Sequence, residues 1–319
     1  MTTSVCMGIY NGAKYIEEQL DSILRQTKPA DEVILCDDNS TDGTVEIVRK
    51  FIRDHDLQES WKLFCDGENR GYPENFYYAM SLCTKDVVFL ADQDDVWDER
   101  KLERMCGVLA DRPETHAVCC KFGLIDGEGR HIRTAMTPTH SKDTGTLREI
   151  TIEDVFYKCE WPGMVIAYRN AWFRRWSRRW AETGDSAVRG RIPHDFPVCA
   201  GAAEEQGFFQ IDEELALHRR HGSNTGGEEH RLHKLLNKNR KLKEIATYLD
   251  ILQAFEQGQI LQTQRGKAAL RQKLLSMQGR YEALQSGRIG NVIRNAATNR
   301  RNVRLATVVC DLLIVRQKG

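Results

Sequence analysis

The chain has 319 residues, 41% hydrophobic and 29% charged, with seven prolines, enough for one large α/β domain and a smaller appendage. No apolar run approaches the roughly 20 residues of a membrane-spanning helix, and Met1-Thr2-Thr3 leads into an apolar run without a basic leader, so neither a span nor a signal peptide is expected. The net charge of zero hides a split: residues 1–227 carry 28 Lys+Arg against 39 Asp+Glu, a net of −11, and residues 228–319 carry 18 against 7, a net of +11. Such asymmetry suggests two modules with different partners.

In chain order, residues 4–10 form an apolar run closed by the turn signal Asn11-Gly12, and Tyr15, Ile16, Leu20, Ile23 and Leu24 then share one helical face. A second strand, Glu32 to Cys36, ends in Asp37-Asp38-Asn39-Ser40-Thr41-Asp42-Gly43-Thr44 and is followed by a helix over 45–52. A third unit runs from Trp61 to Cys65, through Asn69-Arg70-Gly71-Tyr72-Pro73, into a helix over 74–82. The fourth strand, Asp86 to Ala91, drives into Asp92-Gln93-Asp94-Asp95, with a helix beginning near Asp98. Strands alternating with helices of this length predict a parallel sheet of βαβ units, with the loops converging at the carboxyl ends of the strands. Ten cysteines without a CxxC pair, several inside strand-like runs (Cys6, Cys36, Cys119, Cys120), predict buried free thiols in a reducing cytoplasm.

Three acids at the end of a buried strand repel one another unless a cation sits among them. The physical reading is a divalent metal shared with a polyanionic substrate; the alternative is an acidic loop capping the helix near Asp98. In the second cluster Ser40 or Thr41 could equally cap the next helix, but a cap accounts for one acid, not for both Asp37 and Asp38. No GxGxxG follows the first strand and no GxxxxGK[ST] occurs anywhere, which disfavours a dinucleotide-binding dehydrogenase and a P-loop NTPase. Phosphate charge would then fall to a metal.

Tyr10-Asn11-Gly12, the spacing to Gln26-Thr27, DDNSTDGT, Asn69-x-Gly71 with Asn75, and DQDD with Trp97 together resemble the nucleotide-binding half of family 2 glycosyltransferases. The resemblance implies the GT-A fold: a Rossmann-like, mostly parallel sheet flanked by helices. It implies that Tyr10 and Asp38 lie against the nucleobase, with Asp38 accepting from its N3–H and Asp37 nearby. It places Asp92 towards the ribose and Asp94 on an Mn2+ or Mg2+ ion bridging the diphosphate, with Asn69, Asn75 and Gln93 also on the donor side. The wording DQDDVW is similar to a rhamnosyltransferase-like subgroup that uses a deoxythymidine-diphosphate sugar.

Beyond residue 110, 117–122 and 164–168 read as strands, separated by a polar insertion over 126–146. Trp161-Pro162-Gly163-Met164 resembles the small-residue segment lining the family's sugar pocket. Trp172, Trp176 and Trp180 fall on or near one helical face, which favours a packed amphipathic helix over a nucleic-acid stripe despite the intervening arginines. Asp195, opening a helix over 195–205, reads as an ordinary N-cap; the resemblance implies instead the catalytic base of an inverting transferase. Residues 207–218 read as two short strands leading to His218-Arg219-Arg220-His221-Gly222-Ser223-Asn224. This segment resembles a YRxHG signature with His218 in place of Tyr, implying that Arg220 and His221 approach the diphosphate or metal on a loop hinged at Gly226-Gly227; a polar surface loop is the plainer reading.

The expected organisation is a GT-A domain over 1–227 (nucleotide half 1–110, acceptor half 111–227) and a basic α-helical appendage over 228–319, with breaks at Gly258, Gly266 and between Gly279 and Gly290. That appendage is expected either to pack or dimerise, or to lie on anionic lipid at the inner face of the cytoplasmic membrane. The expected function is metal-assisted, inverting transfer of a sugar from a UDP- or dTDP-sugar to a glycan or lipid-linked glycan, in the cytoplasm and without a nucleic-acid partner. A sugar nucleotidyltransferase is the alternative enzyme, and a nucleic-acid-binding protein acting through the basic tail is the non-enzymatic one.

Overall fold

The four apolar runs of the N-terminal part become parallel strands, Thr3–Ile9 (β1), Glu32–Asp37 (β2), Trp61–Phe64 (β3) and Val87–Ala91 (β4), in the order β3-β2-β1-β4. Met7 stands opposite Ala91 and Ile9 opposite Asp37, so the three strands ending in the motif loops stop at one edge. β4 is buried throughout and β1 and β2 nearly so, as continuous Val/Ile/Leu runs in a two-faced sheet require. The crossovers are the helices Ile16–Leu24 (α1), Thr44–Asp54 (α2) and Tyr72–Leu82 (α3).

The computed structural model describes residues 1–132, 144–158, 161–182, 190–221, 236–300 and 303–316, without the side chains of 158 and 179–182. The described residues divide into two compact units, 1–150 with 161–181 and 193–220, and 151–160 with 182–192 and 221–319. The middle of the polar insertion, the Trp180 side chain, the Gly226-Gly227 hinge and the start of the basic tail lie outside the described residues.

The remaining strands of the first unit are Val96–Trp97 (β5), Ala117–Ile125 (β6), Leu147–Glu149 (β7), Ile166–Arg169 (β8) and Phe208–Arg219 (β9). The sheet continues β4-β8-β6-β9-β5, with β7 also on β9. β8 runs antiparallel to both β4 and β6, β6 and β9 are parallel, and β5 and β7 are antiparallel to β9. The two short strands expected over 207–218 are one strand. The acids in its middle are paired in place: Asp212 with Lys121 at 2.9 Å, and Glu213 with Arg104. Register shifts around Lys121 absorb the bend there. Helices Lys101–Asp111 (α4), Asn170–Glu182 (α6) and Asp195–Glu204 complete the unit. Trp172 and Trp176 are buried, with the Trp172 indole donating to Glu205 (2.8 Å) and Trp176 packed where Gly201 leaves no Cβ. For these two residues the core reading of the tryptophan stripe is correct. Cys6, Cys36, Cys119 and Cys120 are buried free thiols.

The second unit is helical: Ile152–Lys158 (α5), then Lys238–Gln257, Gln264–Ser286, Ile289–Thr298 and Leu305–Arg316. Asn237 and Thr263 cap two of these, accepting from the amides of Arg240 (3.0 Å) and Gly266 (2.9 Å). Gly258 ends the first long helix and Gly287, at φ +65°, ends the second. Gly287 is the break expected between Gly279 and Gly290, whereas Gly266 does not break the chain; it lies within Gln264–Ser286, as does Gly279, where a Cβ would collide with Asn295. No helix among the described residues is long and apolar enough to cross a membrane.

Candidate active site

The loops at the carboxyl ends of β1 and β2 are laced together. Asn11 takes a left-handed backbone (φ 47°), which asparagine tolerates better than most residues. Its amide donates to Ser40 Oγ (2.9 Å) and its Oδ1 accepts from the Thr41 amide (2.8 Å). The Gly12 amide donates to Thr44 Oγ1 (2.8 Å) and the Ala13 amide to Asp42 (3.1 Å). Ser40 and Thr41 therefore join loops instead of capping α2, whose N-cap position is Gly43.

Gln93 grips Tyr10 from the β4 loop: its Oε1 accepts from the Tyr10 amide (2.9 Å) and its Nε2 donates to the Tyr10 carbonyl (2.8 Å). A Cβ on Gly12 would run into this amide, so a larger residue there would displace Gln93 from Tyr10. Gln93 thus holds the backbone of Tyr10, a residue 51% exposed just beyond the end of β1.

Asp37 and Asp38 are each 4% exposed. Asp38 Oδ1 and Oδ2 accept from the backbone amides of Arg70 (2.5 Å) and Gly71 (3.0 Å), while Asn69 Nδ2 donates to the Asp38 carbonyl (3.0 Å). Asp38, expected on the nucleobase, and Asn69, expected on the donor side, are thus both engaged in closing the loop before α3. Asp37 Oδ2 accepts from Ser40 (3.0 Å), and its buried Oδ1 has no partner among the described residues. Asn75, expected on the donor side, lies in the first turn of α3. It is buried, and its Nδ2 donates to the Cys36 carbonyl (2.8 Å), fastening α3 to β2.

The DQDD acids have three different surroundings. Asp95 is fully buried and is not a helix cap: its Oδ1 accepts from the Arg219 amide (2.9 Å) and lies 3.0 Å from His218 Nδ1, tying the β4 loop to the end of β9. Asp92, half-buried, has its carboxyl pushed well above the usual range by desolvation and then by the charges of Asp95 and Asp94, with Asp195 adding to the repulsion and His218 opposing it. Asp94 is half-buried, and its carbonyl accepts from Arg219 Nε (2.8 Å). Burial alone would lower the pKa of His218, but the Asp95 hydrogen bond and charge, backed by Asp92 and Asp94, raise it overall.

Asp195, opening its helix, reaches the same edge. Desolvation lifts its carboxyl to about 6, against hydrogen bonds from the backbone of Phe196, Asp195 itself and Gly163. Tyr72, at the start of α3, shares this environment: desolvation, then the charges of Asp195 and Asp92, raise its phenol. Behind it His194 is buried against Phe76 (centroids 3.7 Å apart, rings parallel), and burial lowers its pKa to about 3, so it is neutral. Gly163 is required beside it, because a Cβ would lie 2.5 Å from His194 Nε2.

Two cations brace the acids. Lys101, fully buried, donates to the Met164 carbonyl and lies 3.8 Å from the centre of the Trp97 ring; burial lowers its pKa to about 8, with Cys120, Asp95 and Asp92 opposing. Met164 neighbours Gly163, so Lys101 links the DQDD side to the segment that bonds Asp195. Arg219, also buried, donates to the Asp94 and Asp126 carbonyls and to Glu18.

The expected residues Tyr10, Gln93, Asp92, Asp94 and Asp195 thus gather at the carboxyl edge of β1 and β4, and Asp37 and Asp38 stand at that of β2. Arg220 is half-buried with its amide on the Ile125 carbonyl (2.8 Å), and His221 opens the second unit. Tyr72, Lys101 and Arg219 escaped the sequence reading. Tyr72 directly follows Asn69-x-Gly71, which was the available signal.

Among the described residues no group of three or more His, Cys, Asp and Glu side chains is arranged to hold a metal ion. One or two carboxylates still suit a hard cation whose other positions go to phosphate oxygens and water. The repulsion around Asp92 is what such a cation relieves.

The mixed sheet flanked by helices, with its acid-lined edge at the carboxyl ends of the parallel strands, has the architecture of GT-A enzymes. The glycosyl transferase family 2 model matches residues 4–202, and the chain belongs to that family. It is 27% identical over 227 residues to the uncharacterized glycosyltransferase alr2836 of Nostoc sp., covering 70% of this chain and 66% of that protein. It is 25% identical over 230 residues to the dTDP-rhamnosyl transferase RfbG of Shigella flexneri, covering 69% of this chain and 73% of the relative. Among solved structures, residues 1–349 of Staphylococcus aureus TarS share the GT-A fold with a TM-score of 0.60 at 16% identity, over 99% of this chain and 89% of that one. The same TarS region has been solved with UDP and with UDP-GlcNAc.

Proposed function

We propose that the chain transfers a sugar, with inversion, from a nucleoside diphosphate to a hydroxyl of a glycan or lipid-linked glycan. The observation that carries this reading is the meeting of Asp195 with the DQDD acids: two carboxyl environments, one raised to about 6 and one crowded by like charge, within electrostatic reach of each other. The exposed Tyr10 ring offers a stacking face for the base, and the unpartnered Oδ1 of Asp37 an acceptor beside it. Asp92 takes the ribose side, Arg220 the diphosphate, and Asp94 an Mn2+ or Mg2+ ion. When bound, that ion supplies Lewis-acid neutralisation of the diphosphate charge.

Asp195 removes the proton of the acceptor hydroxyl as its oxygen attacks the anomeric carbon and the carbon–oxygen bond to the diphosphate breaks on the opposite face. A base with a pKa near 6 is ionised at neutral pH and still basic enough to assist. Lys101 and Gly163 hold the segment that positions Asp195. Binding of UDP and UDP-GlcNAc by TarS, a fold relative, and the RfbG likeness both support a UDP- or dTDP-sugar donor. Titration calorimetry with UDP and dTDP tests the reading: one should bind with Mn2+ and lose most of its affinity without it. Absence of any nucleotide response in both conditions would overturn the proposal.

A further inference from the structure

Helix Leu305–Arg316 buries only Asp311 and Ile314 and leaves most of its apolar side chains uncovered or half-covered. Its one acid is inside: Asp311 is buried and accepts from Arg280 at 2.7 and 2.9 Å, anchoring the helix to Gln264–Ser286. Its exposed positions are apolar except for Arg316 at its end. Leu305, Val309 and Leu313, four residues apart and hence on one side, are 80%, 48% and 43% exposed. The preceding helix, Ile289–Thr298, buries only Val292 and leaves Ile289 and Ile293, again four apart, 40% and 54% exposed. Five of the nine exposed large hydrophobic side chains of the described residues fall in these two helices. Clustering of that kind marks an interaction surface, unlike singly scattered apolar residues.

The surrounding charge selects the partner. Residues 287–316 contain six arginines and a single acid, the internally paired Asp311. Arg288, Arg294, Arg300, Arg304 and Arg316 are exposed. An apolar, arginine-flanked surface complements a layer that is negative at its surface and apolar beneath, which is an anionic bilayer. A second copy of the chain fits poorly, since it would set one arginine cluster against another. Single-stranded nucleic acid needs aromatic platforms, and residues 287–316 contain no Phe, Tyr or Trp.

We infer that Ile289–Thr298 and Leu305–Arg316 form a docking surface for anionic lipid, with Leu305, Val309, Leu313, Ile289 and Ile293 entering the headgroup boundary and the arginines pairing with lipid phosphates. The test is flotation of the full chain with phosphatidylcholine vesicles, pure or containing phosphatidylglycerol. Because partition is read and not turnover, its failure and failure of the transfer reading are distinguishable. The chain should float with the anionic vesicles only. Leu305→Ser with Leu313→Ser alters exposed positions, so the thermal midpoint should hold while partition falls at least about tenfold at any salt. Arg288→Gln with Arg294→Gln should reduce it on the order of tenfold at low salt, and less at high salt. No flotation, equal flotation with neutral vesicles, or unchanged partition of the leucine variant would overturn the inference. So would conversion of an oligomer to a monomer by that variant in light scattering, which would assign the face to a second copy.

Discussion

Replacing Asp195 by asparagine keeps the shape of the side chain and removes its capacity to take a proton. Desolvation raises this carboxyl from the ordinary 3.8 to about 6, so wild-type turnover should climb with pH through about 6 and level off above it. General-base assistance is worth roughly a hundred- to ten-thousandfold, and kcat of Asp195→Asn should fall within that range while donor affinity stays unchanged. The same shift fixes the sign of the stability effect. Below 3.8 the group is protonated in folded and unfolded chains and contributes nothing. Between 3.8 and 6 the folded chain keeps a proton that the unfolded chain has released. Above 6 the ionised group costs the fold up to about 3 kcal/mol, since one pKa unit is about 1.4 kcal/mol. The asparagine variant escapes this cost, so it should unfold at a higher temperature than wild type at pH 7.5, and the gap should close as the pH falls from 6 towards 4. Thermal unfolding across that range, beside a kcat profile, gives both readouts. Undiminished turnover would refute the base assignment, and a variant less stable at pH 7.5 would refute the desolvation argument.

Gln93→Ala removes both hydrogen bonds that hold the Tyr10 backbone; two bonds of ordinary net worth predict roughly a tenfold loss of nucleotide affinity in calorimetry, with little change in kcat. Lys101→Met strips a buried counter-charge from Asp92 and Asp95 and leaves the Met164 carbonyl unpaired, so stability should drop by about 1–3 kcal/mol in denaturant titration and kcat should fall more than donor affinity. Asp38→Ala orphans the amides of Arg70 and Gly71; it should lower the unfolding midpoint, and a stability unchanged from wild type would contradict the loop-clamp role.

The parallel strands of the N-terminal part were legible because their signals are local. A buried strand followed at once by Asn11-Gly12, by DDNSTDGT or by DQDD announces both the strand and the edge at which its loop begins. What escaped depends on partners far along the chain. Asp95 reads as one acid among three until β9 brings His218 and Arg219 against it. Asp38 reads as a free carboxylate until the Arg70-Gly71 backbone folds over it. Lys101, in the first turn of a helix, resembles a solvated lysine, and only the return of Met164 buries it. β9 could not be recognised as one strand because Asp212 and Glu213 are neutralised by Lys121 and Arg104 from other elements. The antiparallel entry of β8 between β4 and β6 likewise rests on long-range pairing that no local periodicity encodes.

The most direct measurement of the central claim is product analysis after incubating the full chain with Mn2+ and a panel of UDP- and dTDP-sugars, since a transferase also slowly passes its own donor sugar to water. One donor should yield free sugar and the intact nucleoside diphosphate, and Asp94→Asn should abolish that release. Pyrophosphate release from nucleoside triphosphates, with every diphosphate sugar left unchanged, would contradict it and assign the acid-lined edge to nucleotidyl transfer.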